Sequence, residues 1–328
     1  MRSRIIGTGS YLPARTVTND EVCRALHLDA DAVFRRTGIR ARHWATDDQC
    51  TSQLAEMAAR RAYESAGVDI SSADAIVVST TSPDMSFPST ACHLQRCLGG
   101  KGAAAFDLAA SCSGFLYGLS MADRLVRTEQ YRRCLVVAAE IKSRFLNLQD
   151  DATAIVFGDG AGAALVTADS GGQASSGILD VRLYADGTRH SLIRIPAGGS
   201  RQPASTETIG RQLHALSMQG GPLFRVAVKR LADAVRDQLK DFGIGVKDLN
   251  QAIFHQANGR LLAALGRRLG LSSQQMYSVL ERFGNTSSAS LPIALDHAVR
   301  SGRIKSGDLV LLGTFGGGLT WATGLVRW

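Results

Sequence analysis

An internally duplicated α/β fold, with layered sheets, helices outside and one shared central layer, is what the sequence predicts, and two observations carry it. An order of elements occurs twice: "TSQLAEMAARRAYESAGV" (51–68) has helical spacing of apolar residues and is followed by a turn and the β-branched run of "DISSADAIVVSTTSPD" (69–84). "LFRVAVKRLADAVRDQLKDFGI" (223–244), "GVKDLN" (245–250) and "QAIFHQAN" (251–258) return the same helix, turn and strand. Likewise "RCLVVAAE" (133–140) with "TAIVFGDGAGAALVTAD" (153–169) parallels "GDLVLLGTFGGGLTWATGLVRW" (307–328) as apolar strands joined through glycine-rich turns. Strands this apolar need cover on both faces, so the sheets must lie between helical layers.

The join falls near "TADSGGQASSG", giving an N-terminal half of residues 1–170 and a C-terminal half of 171–328. In the first half the apolar run "AAAF" (103–106) leads into "AASCSGF" (109–115) and then the helical spacing of "LYGLSMADRLVR" (116–127), so Cys112 sits at a strand-to-helix turn. In the second half His255 ends the strand "QAIF", and Asn285 lies in a Gly-Asn-Thr turn ahead of "ASLPIALDHAV". Duplication puts equivalent strand ends near a pseudo-twofold axis, where loops from both halves converge on one site.

Composition narrows the function classes. The 328 residues are 45% hydrophobic and 20% charged, enough for two core-forming units and unlike a disordered chain. No segment supplies the about 20 apolar residues that span a bilayer, and the N-terminus reaches Gly7 and Pro13 before any signal-like run, so a soluble cytoplasmic protein with no membrane association is expected. Six scattered cysteines (23, 50, 92, 97, 112 and 134) read as reduced thiols. A net charge of +8 permits an acidic partner. With 6% aromatics and no nucleic-acid module, that partner is expected to be an acidic protein or a phosphorylated ligand rather than DNA or RNA.

A thiol at a strand-to-helix turn is either a small buried hydrophobe or a nucleophile whose thiolate the positive end of the helix favours. His255 alone reads as structural, and Asn285 alone as a turn or N-cap residue. Together the three make either a nucleophile with two hydrogen-bond donors aimed at one oxygen, or a protease-type triad in which Asn orients His. Glycines 158, 160 and 162 in "FGDGAGAALV" match a weak G-x-G pattern, but a strand-like run follows and no P-loop lysine does. A tight turn beside the site is the better reading.

The motifs "SCSGF", "FGDGAGAALV", "FHQANGR", "GNTSSASLP" and "GTFGGGLTW" resemble, in order, those of the 3-oxoacyl-acyl carrier protein synthase III family of the thiolase superfamily. The resemblance runs from "IIGTGSYLP" to "GLVRW" and implies a thiolase-type αβαβα fold, a homodimer, and no cofactor or metal. The activity it implies is decarboxylative Claisen condensation of an acyl primer with a malonyl thioester. Cys112 would be the acyl-accepting nucleophile. The backbone N–H groups of Cys112 and Gly317 would form the oxyanion hole, and the His255 and Asn285 side chains would hold the enolate oxygen. Phe87 would cap the partner subunit's acyl tunnel, with Phe157 and Met218 lining it. Arg36 and Asn258 are implied in carrier or CoA binding, and Arg225, Arg260, Arg267 and Arg268 at an entrance that receives acyl carrier protein.

The sequence departs from that pattern in two places. Relatives that take an acyl-CoA primer carry a tryptophan where Ala32 stands, and an arginine in the segment that reads "LQDDATAIVF" here; a primer delivered on carrier protein, or CoA bound otherwise, is expected instead. Lys142 and Arg144 in "AAEIKSRFL" fall near positions that are aliphatic in acetyl-primed relatives. A buried unpaired lysine is costly, so Lys142 is expected to be surface-exposed, the alternative being a primer with a carboxylate at its far end. Two other functions compete with condensation: a related acyltransferase of secondary metabolism with His255 as general base, and an inactive partner subunit, for which the intact Cys112, His255 and Asn285 would have no use.

Overall fold

The computed structural model describes residues 2–169 and 176–328, so the expected join at 170/171 lies outside the described residues. Two five-stranded sheets form the frame. The first holds β1 (Ser3–Tyr11), β2 (Ala75–Ser79), β3 (Ala104–Leu108), β4 (Arg133–Glu140) and β5 (Gly160–Ala168), and the second β6 (Gly177–Ala185), β7 (Gln251–Phe254), β8 (Met276–Tyr277), β9 (Leu309–Gly316) and β10 (Thr320–Arg327). Their orders are β3-β2-β4-β5-β1 and β8-β7-β9-β10-β6. From that edge, each sheet has two parallel pairings followed by two antiparallel ones. The duplication read from the sequence is therefore a duplication of sheet topology.

Each half contributes three core helices: α1 (Thr51–Ala66), α2 (Thr90–Leu98) and α3 (Gly114–Arg127), then α4 (Gly220–Asp241), α5 (Gly259–Leu269) and α6 (Ser290–Arg300). Burial separates the layers. Nine of the 14 residues of α3 and eight of the 11 of α6 are buried, against four of the 11 of α5. Helices α3 and α6 thus form the shared central layer; α3 packs on strands of both sheets, as does α6. α1 covers the outer face of the first sheet and α4 the second. The five-residue β2 and all but Arg133 of β4 are buried, as parallel strands covered on both faces must be.

The central layer is tied to β1 by buried carboxylates. Asp123 of α3 accepts from Ser3 Oγ at 2.7 Å, and Asp296 of α6 from Thr8 Oγ1 at 2.9 Å. Burying these acids without such donors would be costly, so the bonds fix which way each helix faces. One run departs from expectation. "TAIVF" is a turn rather than a strand, with β5 starting only at Gly160; Phe157 instead makes a single bridge to Asn285. Its apolar residues are buried because they wall a cavity, which the pattern of apolar residues cannot distinguish from a strand.

All six cysteines are free. Among the described residues no helix is long and apolar enough to cross a membrane.

Candidate active site

The two ends of the duplication meet at a pair of matching turns. A 3-10 turn, Ser111–Ser113, leads into α3, and another, Ser287–Ala289, leads into α6. Each opens on a serine with positive φ, 50° at Ser111 and 54° at Ser287. Non-glycine residues are uncommon there, and such strain concentrates at functional sites. Cys112 and Ser288 are the corresponding residues of the two turns.

Cys112 lies directly ahead of the 14-residue α3, whose positive end favours a thiolate. The close fit of its neighbours depends on glycine: a Cβ on Gly114 would stand 1.8 Å from Ser79 Oγ, and one on Gly316 would stand 2.7 Å from the Cys112 nitrogen. Cys112 Sγ is 3.4 Å from Ser287 Oγ. Burial pushes the thiol up, the Ser287 hydrogen bond and the Lys142 charge act against this, and the Glu140 charge acts with it. The resting group is accordingly a protonated thiol.

His255 follows β7, and its backbone N–H donates to the Gly313 carbonyl at 2.8 Å. Its Nδ1 is 2.5 Å from Ser290 Oγ, the first residue of α6, and that oxygen accepts from the Gln256 N–H at 3.1 Å. With an oxygen lone pair engaged by Gln256, the Ser290 hydrogen is best spent on Nδ1, which leaves the proton of the neutral ring on Nε2. Burial lowers the His255 pKa to about 4, so the imidazole is neutral at ordinary pH. Asn285 is held at three points. Its N–H donates to the Val156 carbonyl at 3.0 Å, its Oδ1 accepts from the Ser287 N–H at 2.8 Å, and its Nδ2 reaches the Ala257 carbonyl at 3.4 Å. The accepting Oδ1 fixes the amide orientation, so one Nδ2 hydrogen remains for a ligand.

Cys112, His255 and Asn285 are only 6%, 5% and 5% exposed, and all three line one cavity of about 520 Å³. Phe157, Met218 and Gly317 line it too, and Arg36, Asn258 and Arg260 stand on its more exposed side. Gly317 N–H donates to Ser111 Oγ at 3.2 Å. A second cavity of about 270 Å³ adjoins Cys112 and is walled by Thr81, Lys142, Phe157, Arg194, Ser287 and Gly317 among others.

Other expected residues lie elsewhere. Arg225, Arg267 and Arg268 are exposed and line neither cavity; Arg268 sits 3.6 Å from Asp233. Phe87 lines neither cavity and is 86% exposed. Arg36 is engaged with Asp151 at 2.7 Å, the acid standing in the segment where an arginine was expected. Ala32 is exposed on the helix Ala30–Thr37.

Lys142 is a correction. It is 4% exposed rather than on the surface, because Glu140 compensates its charge at 3.0 Å. Glu140 itself is fully buried and accepts from Ser82, Ser288, Thr81 and Ser287. Lys142 and those hydrogen bonds outweigh desolvation and hold its carboxyl below the usual range. Arg144 is exposed, and its Nη2 donates to the carbonyls of Thr46, Asp47 and Gln49. Sequence reasoning also missed Ser287, Ser290 and Glu140. An acid ending a fully apolar strand was the available signal for Glu140; the two serines look like any others in "SSAS".

Comparison with known proteins extends the likeness to the whole chain. Residues 106–187 match the family described as 3-oxoacyl-[acyl-carrier-protein (ACP)] synthase III, and residues 239–328 match its C-terminal region. A beta-ketoacyl-[acyl-carrier-protein] synthase III of Caldanaerobacter subterraneus subsp. tengcongensis is 45% identical over 99% of this chain and 97% of its own. The protein of that name from Erythrobacter litoralis is 44% identical over 100% of both chains. The crystal structure of 3-oxoacyl-[acyl-carrier-protein] synthase III from Aquifex aeolicus superposes with a TM-score of 0.91 at 36% identity, covering 99% of this chain and 100% of that one. Identity of this level along the full length, together with the shared fold, is decisive: the chain belongs to the 3-oxoacyl-[acyl-carrier-protein] synthase III family.

Proposed function

We propose that this chain condenses an acyl primer with a malonyl thioester, with loss of carbon dioxide, in fatty acid or related polyketide biosynthesis. The convergence of Cys112, His255 and Asn285 on one buried cavity carries the reading. In the first half-reaction Cys112 Sγ attacks the primer thioester. The new Sγ–acyl bond forms, the old C–S bond breaks, and the thiol proton ends on the departing thiol. The tetrahedral oxyanion is received by the Cys112 and Gly317 N–H groups, Gly317 giving up its bond to Ser111 Oγ.

In the second half-reaction the malonyl C–C bond breaks, carbon dioxide leaves, and its electron pair becomes an enolate held by His255 Nε2–H and the spare Asn285 Nδ2–H. The carbanion then attacks the acyl-Cys112 carbonyl and expels the thiolate. The histidine favours this over transfer to an alcohol or amine. A ring lowered to about 4 is a poor proton acceptor, but it remains a neutral donor throughout the working range.

The chain works as a homodimer of duplicated halves, 1–170 and 171–328, in the cytoplasm. The dimer is supported by Met85 and Phe87, 46% and 86% exposed on one loop, a large apolar area to leave in water. The carrier protein docks on the exposed Arg225, Arg260 and Arg267, near which no carboxylate of the described residues lies within 4 Å. The primer arrives on a carrier more readily than on CoA, since Ala32 offers no ring to adenine and Asp151 occupies Arg36. The test is to supply an acyl donor and malonyl-carrier and look for acyl-Cys112, released carbon dioxide and a 3-oxoacyl product. Acyl-Cys112 without carbon dioxide release would instead support the acyltransferase.

A further inference from the structure

The cavity of about 270 Å³ beside Cys112 is not the apolar pocket that a simple alkyl primer calls for. Ile193, Ile195 and Leu216 supply apolar walls, but Lys142 and Arg194 also face it, with no carboxylate among the lining residues. Lys142 Nζ has three N–H donors. One goes to Glu140 Oε2 at 3.0 Å and one to Thr81 Oγ1 at 2.5 Å. The third has no protein acceptor among the described bonds and belongs to a group that lines the cavity. Glu140 cannot turn toward a ligand, because it is fully buried and bound by Ser82, Ser288, Thr81 and Ser287 as well as by Lys142.

Lys142 is answered by the enclosed Glu140, while Arg194 stands exposed at the cavity's rim and is in no ion pair among the described residues. The cavity thus presents one cation with no anion opposite it. Cys112 and Lys142 line this one cavity, with Ser287 Oγ 3.4 Å from Cys112 Sγ and 3.3 Å from Glu140 Oε1, so an acyl chain on the sulfur can enter the space that the ammonium lines.

We infer that the primer is a short ω-carboxyacyl group, a dicarboxylic acid carried as a monothioester, whose free carboxylate is received by Lys142 and Arg194. This rests on Cys112 being the acyl acceptor and names the class of acyl group it takes. A methyl-ended chain of equal length would cover the third Lys142 N–H without offering it an acceptor, and sites built around a buried donor reject such analogues strongly. The chemistry is otherwise unchanged: Sγ–acyl forms, the donor C–S bond breaks, and the donor leaves as a thiol. The product is a 3-oxo acid with carboxyl groups at both ends, one of them a thioester.

The experiment compares matched chains that differ only at the far end, glutaryl against pentanoyl and succinyl against butyryl. Each is presented on CoA and on carrier protein, and acyl-Cys112 is followed by intact mass. The ω-carboxyacyl member of each pair should load at least about tenfold faster. Lys142→Met should reverse the preference. Because that variant strands Glu140, the double variant Glu140→Gln, Lys142→Met is run beside it, and both are checked for a native thermal transition. Equal or faster loading of pentanoyl and butyryl in the unmodified enzyme overturns the inference while leaving acyl-Cys112 intact. A preference that persists in a folded variant without Lys142 overturns the assignment to that residue. Failure of every acyl group to load Cys112 counts instead against the condensing function.

Discussion

Hydrogen-bond direction decides chemistry at the residue scale. Ser290 presents its hydroxyl to His255 Nδ1 at 2.5 Å and so leaves Nε2 as the donor. Ser290→Ala should let the ring take either tautomer, lowering the condensation rate about tenfold with little change in Cys112 acylation. Comparing the two half-reactions distinguishes this from general loss of structure. The pH response follows from His255, whose folded pKa is about 4. An unfolded histidine binds its proton near pH ~6.5, so between those values only the unfolded chain is protonated there. The contribution to stability is intact above ~6.5 and declines as pH falls toward 4. Malonyl decarboxylation should then be flat from about pH 5.5 to 8; an acid limb near the ordinary histidine value would contradict a buried neutral ring. The convergence of Cys112, His255 and Asn285 on one cavity was legible in the sequence because three distant motifs pointed to them together. Ser287 and Ser290 were not, since their roles depend on which backbone group each hydroxyl meets.

Elements explain both the successful and the failed expectations. Runs such as "RCLVVAAE" could be read as covered strands because nothing from Cys134 to Ala139 suits a wet face. "TAIVF" has the same composition but walls a cavity, and composition cannot say whether an apolar side chain faces a sheet or a ligand space. Lys142 was misjudged for a related reason. Glu140 ends β4 and Lys142 caps the 3-10 turn Ser143–Phe145 that follows, where the chain turns and brings the two within 3.0 Å so that each neutralises the other. Glycine positions make a sharper test of element packing. In Gly316→Ala the new Cβ would meet the Cys112 nitrogen at 2.7 Å, so β9 must shift from the nucleophile. Acylation should fall by about 100-fold or more while thermal stability drops only modestly, since misplacing a reacting group by about 1 Å costs that much.

At the scale of the whole molecule, the proposed docking makes the +8 net charge and the exposed arginines act on encounter rather than on bond making. Arg225→Glu with Arg267→Glu should raise the apparent KM for carrier-bound substrate and spare a small thioester mimic, because neither side chain lines a cavity. Unmodified enzyme should show a higher kcat/KM for acyl-carrier than for the same acyl-CoA, with the gap narrowing as salt rises. Phe87 carries the dimer prediction: sedimentation should report two chains, and Phe87→Ser should weaken or reshape that pair, since its ring is 86% exposed in a single chain. The duplicated plan was visible in the order of elements. Its consequence, a strained serine turn from each half meeting at Cys112 and Ser288, needed coordinates.

The division of labour between the halves is tested most directly by measuring both half-reactions in two variants, Cys112→Ala and Asn285→Ala. Acylation is read by intact mass, and decarboxylation by carbon dioxide released from malonyl-carrier. Cys112→Ala should take no acyl group yet still decarboxylate, because His255 and Asn285 keep their hold on the enolate oxygen. Asn285→Ala should acylate Cys112 normally and decarboxylate about 100-fold to 1,000-fold more slowly. Equal loss of both half-reactions in each variant would contradict the assignment of the thiol to one half of the chemistry and the His255–Asn285 pair to the other.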